Sequence, residues 1–146
     1  MSQSPTQSAS AGCIFCRIVR GEAPAHVVYE DEHVMAFLDI HPLVEGHTMV
    51  IPKGHYETLE AVPPELVGKV FEGVRKVSEA MRRALRAEAT TIGINNGRAA
   101  GQVVPHLHVH ILPRYAGDGG GTIHSIIHRP ANKSLEEVQK LLQGSL

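Results

Sequence analysis

The sequence predicts an α+β fold, an antiparallel sheet packed with one long helix and a short C-terminal helix, and four stretches carry that prediction. In His106-Leu107-His108-Val109-His110-Ile111-Leu112, histidines alternate with aliphatic residues. Side chains alternate across a strand, so Leu107, Val109 and Ile111 enter a core while His106, His108 and His110 share the opposite face. Leu66, Val70, Val74, Val77, Met81 and Leu85 recur three or four residues apart, which marks one buried stripe of a helix opening at Pro63-Pro64-Glu65. Val34 to Leu38 and His47 to Ile51 are short, mostly apolar runs of strand length.

The remaining elements follow in order. Residues 1–11 are rich in Ser and Gln and hold too little apolar surface to offset the entropy of ordering, so they are expected to form a disordered tail ahead of one domain over 12–146. Val27-Val28-Tyr29 pairs with Val34 to Leu38 around the turn-like Glu30-Asp31-Glu32-His33, a hairpin. Thr91-Ile92-Gly93-Ile94 is a further strand, with Asn96-Gly97 as its turn, and the triple-histidine strand comes next. Ser134-Leu135-Glu136-Glu137 reads as a capping box that opens a helix to about Leu142. There are no internal repeats.

Composition narrows the function classes. A chain of 146 residues supports one domain with a core that needs no disulfide staples. With 14 Lys+Arg against 15 Asp+Glu, it shows no electrostatic footprint for nucleic acid or an anionic membrane, and a small polar substrate fits better. No apolar run reaches the length of a membrane span, and the first residues lack the basic and apolar blocks of a signal peptide. The expectation is a cytoplasmic protein.

Three chemistries compete for the histidine row: convergence on a metal ion, phosphoryl transfer with a neutral imidazole as nucleophile, or an exposed polar face of an edge strand. With ten histidines, a shuffled chain would offer such a run with an expectation of only about 0.04. Cys13 and Cys16, the only cysteines, are spaced for a redox pair, for two buried thiols, or for half of a zinc site. No phosphate-binding P-loop occurs. The run Asn95-Asn96-Gly97-Arg98-Ala99-Ala100-Gly101-Gln102 is the substitute, because its glycines allow close backbone approach and its amides can donate to phosphate oxygens. Asp39 closes an apolar strand where its carboxylate can accept from two vicinal hydroxyls.

His106 to Leu112 match the His-φ-His-φ-His-φ-φ motif at every position, φ being aliphatic, and the chain resembles the histidine-triad (HIT) superfamily of nucleotide-binding proteins and nucleotidyl hydrolases or transferases. Further matches to the branch of Hint-type proteins and their bacterial relatives are Cys13-Ile14-Phe15-Cys16-Arg17-Ile18, Val28-Tyr29-Glu30-Asp31, Phe37-Leu38-Asp39-Ile40, Gly46 through His55, and Asn95 through Gln102. The resemblance spans residues 13–115. It implies a homodimer that binds purine nucleotides. His108 would attack the α-phosphate to give a nucleotidyl-histidine, which water opens to the nucleoside monophosphate. His110 would bond the phosphate or help protonate the leaving group, and His47 would support the tautomer of the central ring. Asn95, Gly101 and Gln102 would lie at the phosphate or leaving group. Residues matching Ile14, Phe15, Ile18, Phe37, Leu38 and Ile40 surround the base in Hint-type relatives, with Asp39 on the ribose. A zinc-containing bacterial subset implies structural Zn²⁺ on Cys13, Cys16, His55 and His106. No organic cofactor is implied.

The expected activity is hydrolysis of nucleoside 5′-phosphoramidates, as in adenosine 5′-monophosphoramidases. Dinucleoside-polyphosphate hydrolysis or phosphorolysis is the enzymatic alternative, and a nucleotide-binding module with little turnover is the other. Zinc held by all three histidines is disfavoured, since the cysteines offer softer ligands. Val103 departs from the Ser or Thr that many relatives carry there; a valine cannot bond the leaving group, and one such donor can contribute about 2.7–4 kcal/mol at an oxyanion site. The tail Leu112-Pro113-Arg114-Tyr115-Ala116-Gly117-Asp118 resembles that of dinucleoside-polyphosphate hydrolases. The loop Gly117 to Gly121, His124 and His128 are either an outer rim of the pocket or plain exposed loop.

Overall fold

Five antiparallel strands in the order β1-β2-β3-β5-β4 form the sheet of the computed structural model, which describes residues 11–146. The strands are β1 (Val27–Glu30), β2 (Val34–Leu38), β3 (Thr48–Pro52), β4 (Ala89–Gly93) and β5 (Val109–Arg114). Three helices accompany them: α1 (Ile14–Val19), α2 (Pro64–Ala84) and α3 (Leu135–Gln143). The expected tail falls almost wholly outside the described residues.

The hairpin forms where the sequence places it. Asp31 closes its turn by accepting from the backbone N–H groups of His33 and Val34 at 2.8 and 2.9 Å. β2 and β3 are buried along nearly their whole length because the sheet is covered on both faces, which is why they read as continuous apolar runs rather than alternations. Val34, Ala36, Val50, Val109 and Ile111 pack on Val70, Val74, Val77 and Met81 of α2. On the opposite face, Met35, Phe37, Met49 and Ile51 pack on Cys13, Phe15 and Cys16. The sequence predicted the first layer only.

The buried stripe of α2 runs Val70, Val74, Val77 and Met81, with Leu66 half-buried; Leu85 caps the helix and is 41 % exposed, outside the stripe. Gly73 belongs to the same stripe and has a packing reason. A Cβ there would stand 3.1 Å from Val34 Cγ2 and 3.4 Å from Val50 Cγ1, so glycine lets the helix lie directly on the sheet.

β5 starts at Val109, so the regular strand covers only the last histidine of the triad. The alternation still holds: Leu107, Val109 and Ile111 are all buried, the last two against α2. The exposed-face reading of the histidines is overturned, because His106 is 0 % and His108 8 % exposed. α1 shields them.

After Tyr115 the chain makes an arm whose residues are all exposed. The capping box on α3 is reciprocal: Ser134 Oγ accepts from Glu137 N–H, and the Glu137 carboxylate accepts from Ser134 N–H. Leu135, Leu141 and Leu142 nonetheless remain in solvent. Among the described residues, no helix is long and apolar enough to cross a membrane.

Candidate functional site

Two adjoining clusters use the histidine row, one on each side of His108. The first lies beneath α1. Cys13 caps that helix, its Sγ accepting from Cys16 N–H at 3.5 Å, which turns both thiols toward the start of the triad. Cys13 Sγ and Cys16 Sγ lie 3.4 and 3.5 Å from His106 Nδ1. His55 Nδ1 lies 3.3 Å from Cys16 Sγ and 3.3 Å from His106 Nδ1. Ligands at ~2.0–2.3 Å from a tetrahedral zinc stand about 3.3–3.8 Å apart, so these four atoms already have the spacing of a Cys₂His₂ centre. His106 is oriented for the task, since its Nε2–H donates to the Pro52 carbonyl at 2.9 Å and leaves the Nδ1 lone pair facing the thiols.

The charges fit the same reading. Burial drives the His106 pKa down to about 4 and lowers that of His55, so both are neutral and able to ligate. Burial, with the neighbouring Cys13 thiol, pushes the Cys16 thiol up to about 12. A thiolate there needs a cation beside it.

The second cluster fixes tautomers. Leu43 N–H donates to His47 Nδ1 at 3.2 Å, so the His47 proton sits on Nε2. That N–H donates to His110 Nδ1 at 2.9 Å, which leaves the His110 proton on Nε2. His108 Nδ1–H donates to the His106 carbonyl at 2.7 Å and leaves Nε2 as a free lone pair. The two catalytic candidates thus present opposite valences, a nucleophilic nitrogen on His108 and a neutral N–H donor on His110. Phe15 packs edge-on to the His108 ring at 5.2 Å between centroids and steadies it. The sequence offered no signal for that contact, because Phe15 reads as core.

Burial, then the adjacent His108 and His47, brings the His110 pKa down to about 4, and burial lowers His47 against the pull of Asp39. Because His110 has a lower pKa folded than unfolded, the unfolded chain binds more protons between about 6.5 and 4. Its contribution to stability is complete above about pH 6.5 and is lost as the pH falls through that window. Urea midpoints should therefore decline from pH 7 to pH 4, and His110→Asn should flatten the decline; an unchanged slope in the variant would contradict the assignment.

A cavity of about 620 Å³ opens beside these imidazoles. Ile14, Phe15, Ile18, Phe37, Leu38, Asp39, Ile40, Asn95, Gly101, Val103, His108 and His110 line it, together with Ala23 to Ala25, His41, Met49 and Val104, which the sequence did not single out. His47 stands behind His110. Asp39 Oδ1 accepts from His41 N–H at 2.9 Å and Oδ2 lies 3.6 Å from His47 Nε2, so its free lone pairs remain available to hydroxyls. Val103 is 90 % exposed at the rim.

Gln102 is placed differently from the expectation. It does not line the cavity; its Oε1 accepts from Gly97 N–H at 2.8 Å and its Nε2 donates to the carbonyls of Glu57 and Val104 at 2.7 and 3.0 Å. Its amide shapes the loop around Gly97 and Gly101, whose φ values of 105° and 101° exclude most side chains. The Gly117 to Gly121 loop, His124 and His128 stand away from the cavity lining; Asp118 and the Gly121 carbonyl accept from Arg114 instead.

Comparisons with known proteins identify the family and the fold. The HIT domain model matches residues 20–117. An uncharacterised HIT-like protein of Methanocaldococcus jannaschii is 48 % identical over 132 residues, covering 90 % of this chain and 99 % of the archaeal one. An adenylylsulfatase of Arabidopsis thaliana is 44 % identical over 106 residues, 73 % of this chain and 54 % of the plant protein. The crystal structure of a zinc-bound histidine-triad protein from Mycobacterium smegmatis superposes with a TM-score of 0.72 at 40 % identity, covering 93 % of this chain and 94 % of that one. With the triad, the sheet order and the family match in agreement, the chain belongs to the HIT domain family.

Proposed function

We propose that the protein binds purine nucleotides and hydrolyses nucleoside 5′-phosphoramidates through a nucleotidyl-His108 intermediate. The observation that carries this reading is the paired valence of the site: a free Nε2 lone pair on His108 beside an Nε2–H donor on His110, in the wall of one cavity. In the first step His108 Nε2 gives its electron pair to the α-phosphorus, and the P–N bond breaks with the amine nitrogen keeping the pair and taking a proton from solvent, so that it departs as the neutral amine. The His110 N–H bonds a non-bridging oxygen as charge gathers there. Water then attacks the same phosphorus, a proton is released to solvent, and the monophosphate leaves with His108 restored. The base lies among Ile14, Phe15, Ile18, Phe37, Leu38 and Ile40, the ribose at Asp39, and the phosphate at Asn95 and Gly101.

Zinc fits the Cys13, Cys16, His55 and His106 cluster as a structural ion. When bound it supplies a crosslink and stabilises the two thiolates; every step of the reaction belongs to His108, His110 and water. We further assign a homodimer, because β4 is an edge strand carrying Ile92 43 % exposed beside Phe71 39 % exposed, and the apolar side chains of the arm find no cover within the protomer. A cytoplasmic location accords with two free thiols.

Dinucleoside polyphosphates are the second substrate class. Val103 at the rim offers no hydroxyl to a leaving group, which favours groups that depart as stable anions, and the adenylylsulfatase relative acts on such a linkage. Intact-mass spectrometry after brief mixing with an adenosine phosphoramidate and with a diadenosine polyphosphate should show an adenylylated protein, and the rate of AMP release ranks the two. Nucleotide binding with neither adduct nor turnover would leave a binding module.

A further inference from the structure

The short segment from His55 to Glu60 joins the Cys-His cluster to the loop that carries Asn95 and Gly101. At one end His55 Nδ1 is a donor of the Cys-His cluster. Along its length the Tyr56 carbonyl accepts from Leu107 N–H at 2.7 Å, and the Glu57 carbonyl accepts from Gln102 Nε2 at 2.7 Å. At the other end Asn96 bridges the segment to the phosphate-side loop. Its Oδ1 accepts from Leu59 N–H at 2.9 Å, and its Nδ2 donates to both oxygens of the Glu60 carboxylate at 2.8 and 3.0 Å. The cavity-lining Asn95 and Gly101 are the direct neighbours of the two clip residues, Asn96 and Gln102.

We propose that Asn96 is a positioning residue that locks the phosphate-side loop onto the metal-anchored 55–60 segment, so that metal retention and binding of a nucleotide's phosphate reinforce each other. The proposal rests on the nucleotide and zinc readings above and adds a coupling between them. The physical ground is continuity. A loop free to shift would move Asn95 and Gly101 away from the phosphate, while a segment held at Asn96 and at the metal keeps that loop in one arrangement. By linkage the effect is reciprocal: whatever factor zinc adds to phosphate affinity, phosphate adds to zinc affinity. The base slot alone would carry a smaller share, through α1.

The test uses the full chain loaded with zinc. Its apparent zinc affinity is measured against a competing chelator with no addition, with saturating adenosine and with saturating AMP, and binding of each nucleotide is followed by calorimetry. AMP should raise zinc affinity by about fivefold or more, in the range of ordinary allosteric couplings, and adenosine by less. Asn96→Ala should keep one zinc per chain and lose most of the increment of AMP over adenosine. Glu60→Gln, which still offers Asn96 an acceptor, should retain it. Should Asn96→Ala not fold, Glu60→Ala takes its place, because that side chain is exposed. A merely structural clip would lower thermal stability without touching the AMP increment. Wild-type protein that binds AMP and zinc yet gives equal zinc affinity with AMP and adenosine overturns the coupling, and so does a full increment in Asn96→Ala. Wild-type protein that shows no AMP binding overturns the nucleotide reading itself, a distinct result.

Discussion

On the proposed mechanism, His108→Ala should abolish the adenylylated species and lower AMP release by at least about 10⁴-fold, since loss of a covalent nucleophile removes the whole two-step route and leaves only binding and oriented water. The Kd for AMP changes little in the same variant, because the base wall, Asp39, Asn95, Gly101 and the His110 N–H are left in place. Single-turnover mixing followed by intact-mass analysis separates the two effects. An adduct that persists in the variant would move the nucleophile to another residue, and His110 is the neighbour to examine, although its Nδ1 is already occupied by the His47 N–H and its pair on Nε2 carries a proton.

Removal of zinc is the second large effect. At a free zinc concentration about 1,000 times Kd, binding adds roughly 4 kcal/mol to stability. For a domain of this size each kcal/mol moves Tm by about 2–4 °C, so chelation should lower Tm by ~8–16 °C. The same treatment should expose the thiols to alkylation, with Cys16 reacting slowly at neutral pH because burial raises its pKa to about 12. Differential scanning calorimetry before and after dialysis against chelator, with zinc content counted by atomic emission, reads it directly. An unchanged Tm in a protein shown to have lost its zinc would sink the structural role. Acid should release the ion as well, since protons compete for all four ligands.

The two halves of the molecule were unequally legible in the sequence. The long helix showed itself because Val70, Val74, Val77 and Met81 face one core at helical period, and the histidine row showed itself because buried aliphatics alternate with it, Val109 and Ile111 in that same core and Leu107 buried before them. α1 left no such trace. Its six residues are too few to display a period, and its isolated stability would be marginal. What holds it is Cys13 at its cap, Cys16 in its first turn and Phe15 against Phe37 and His108, all tertiary contacts. For the same reason the sequence marked the apolar residues of the base slot only through family resemblance; Ile14 and Ile18 look like any other core residue until the cavity beside them is seen. Gln102 illustrates the opposite limit. The motif singles it out, while the geometry shows that its amide is spent on the Gly97, Glu57 and Val104 backbone.

The chain of imidazoles from His47 to His110 has a polarity, and its origin is a main-chain amide. If Leu43 N–H did not face His47 Nδ1, either nitrogen of His47 could hold the proton, and the pair could equally well run in reverse with the His110 Nε2 stripped of its hydrogen. Direction in this relay is therefore written in the bend of the loop between Asp39 and His47, in no side chain at all. Any residue except proline at position 43 can transmit it, so the letter there is free to drift while the shape is not.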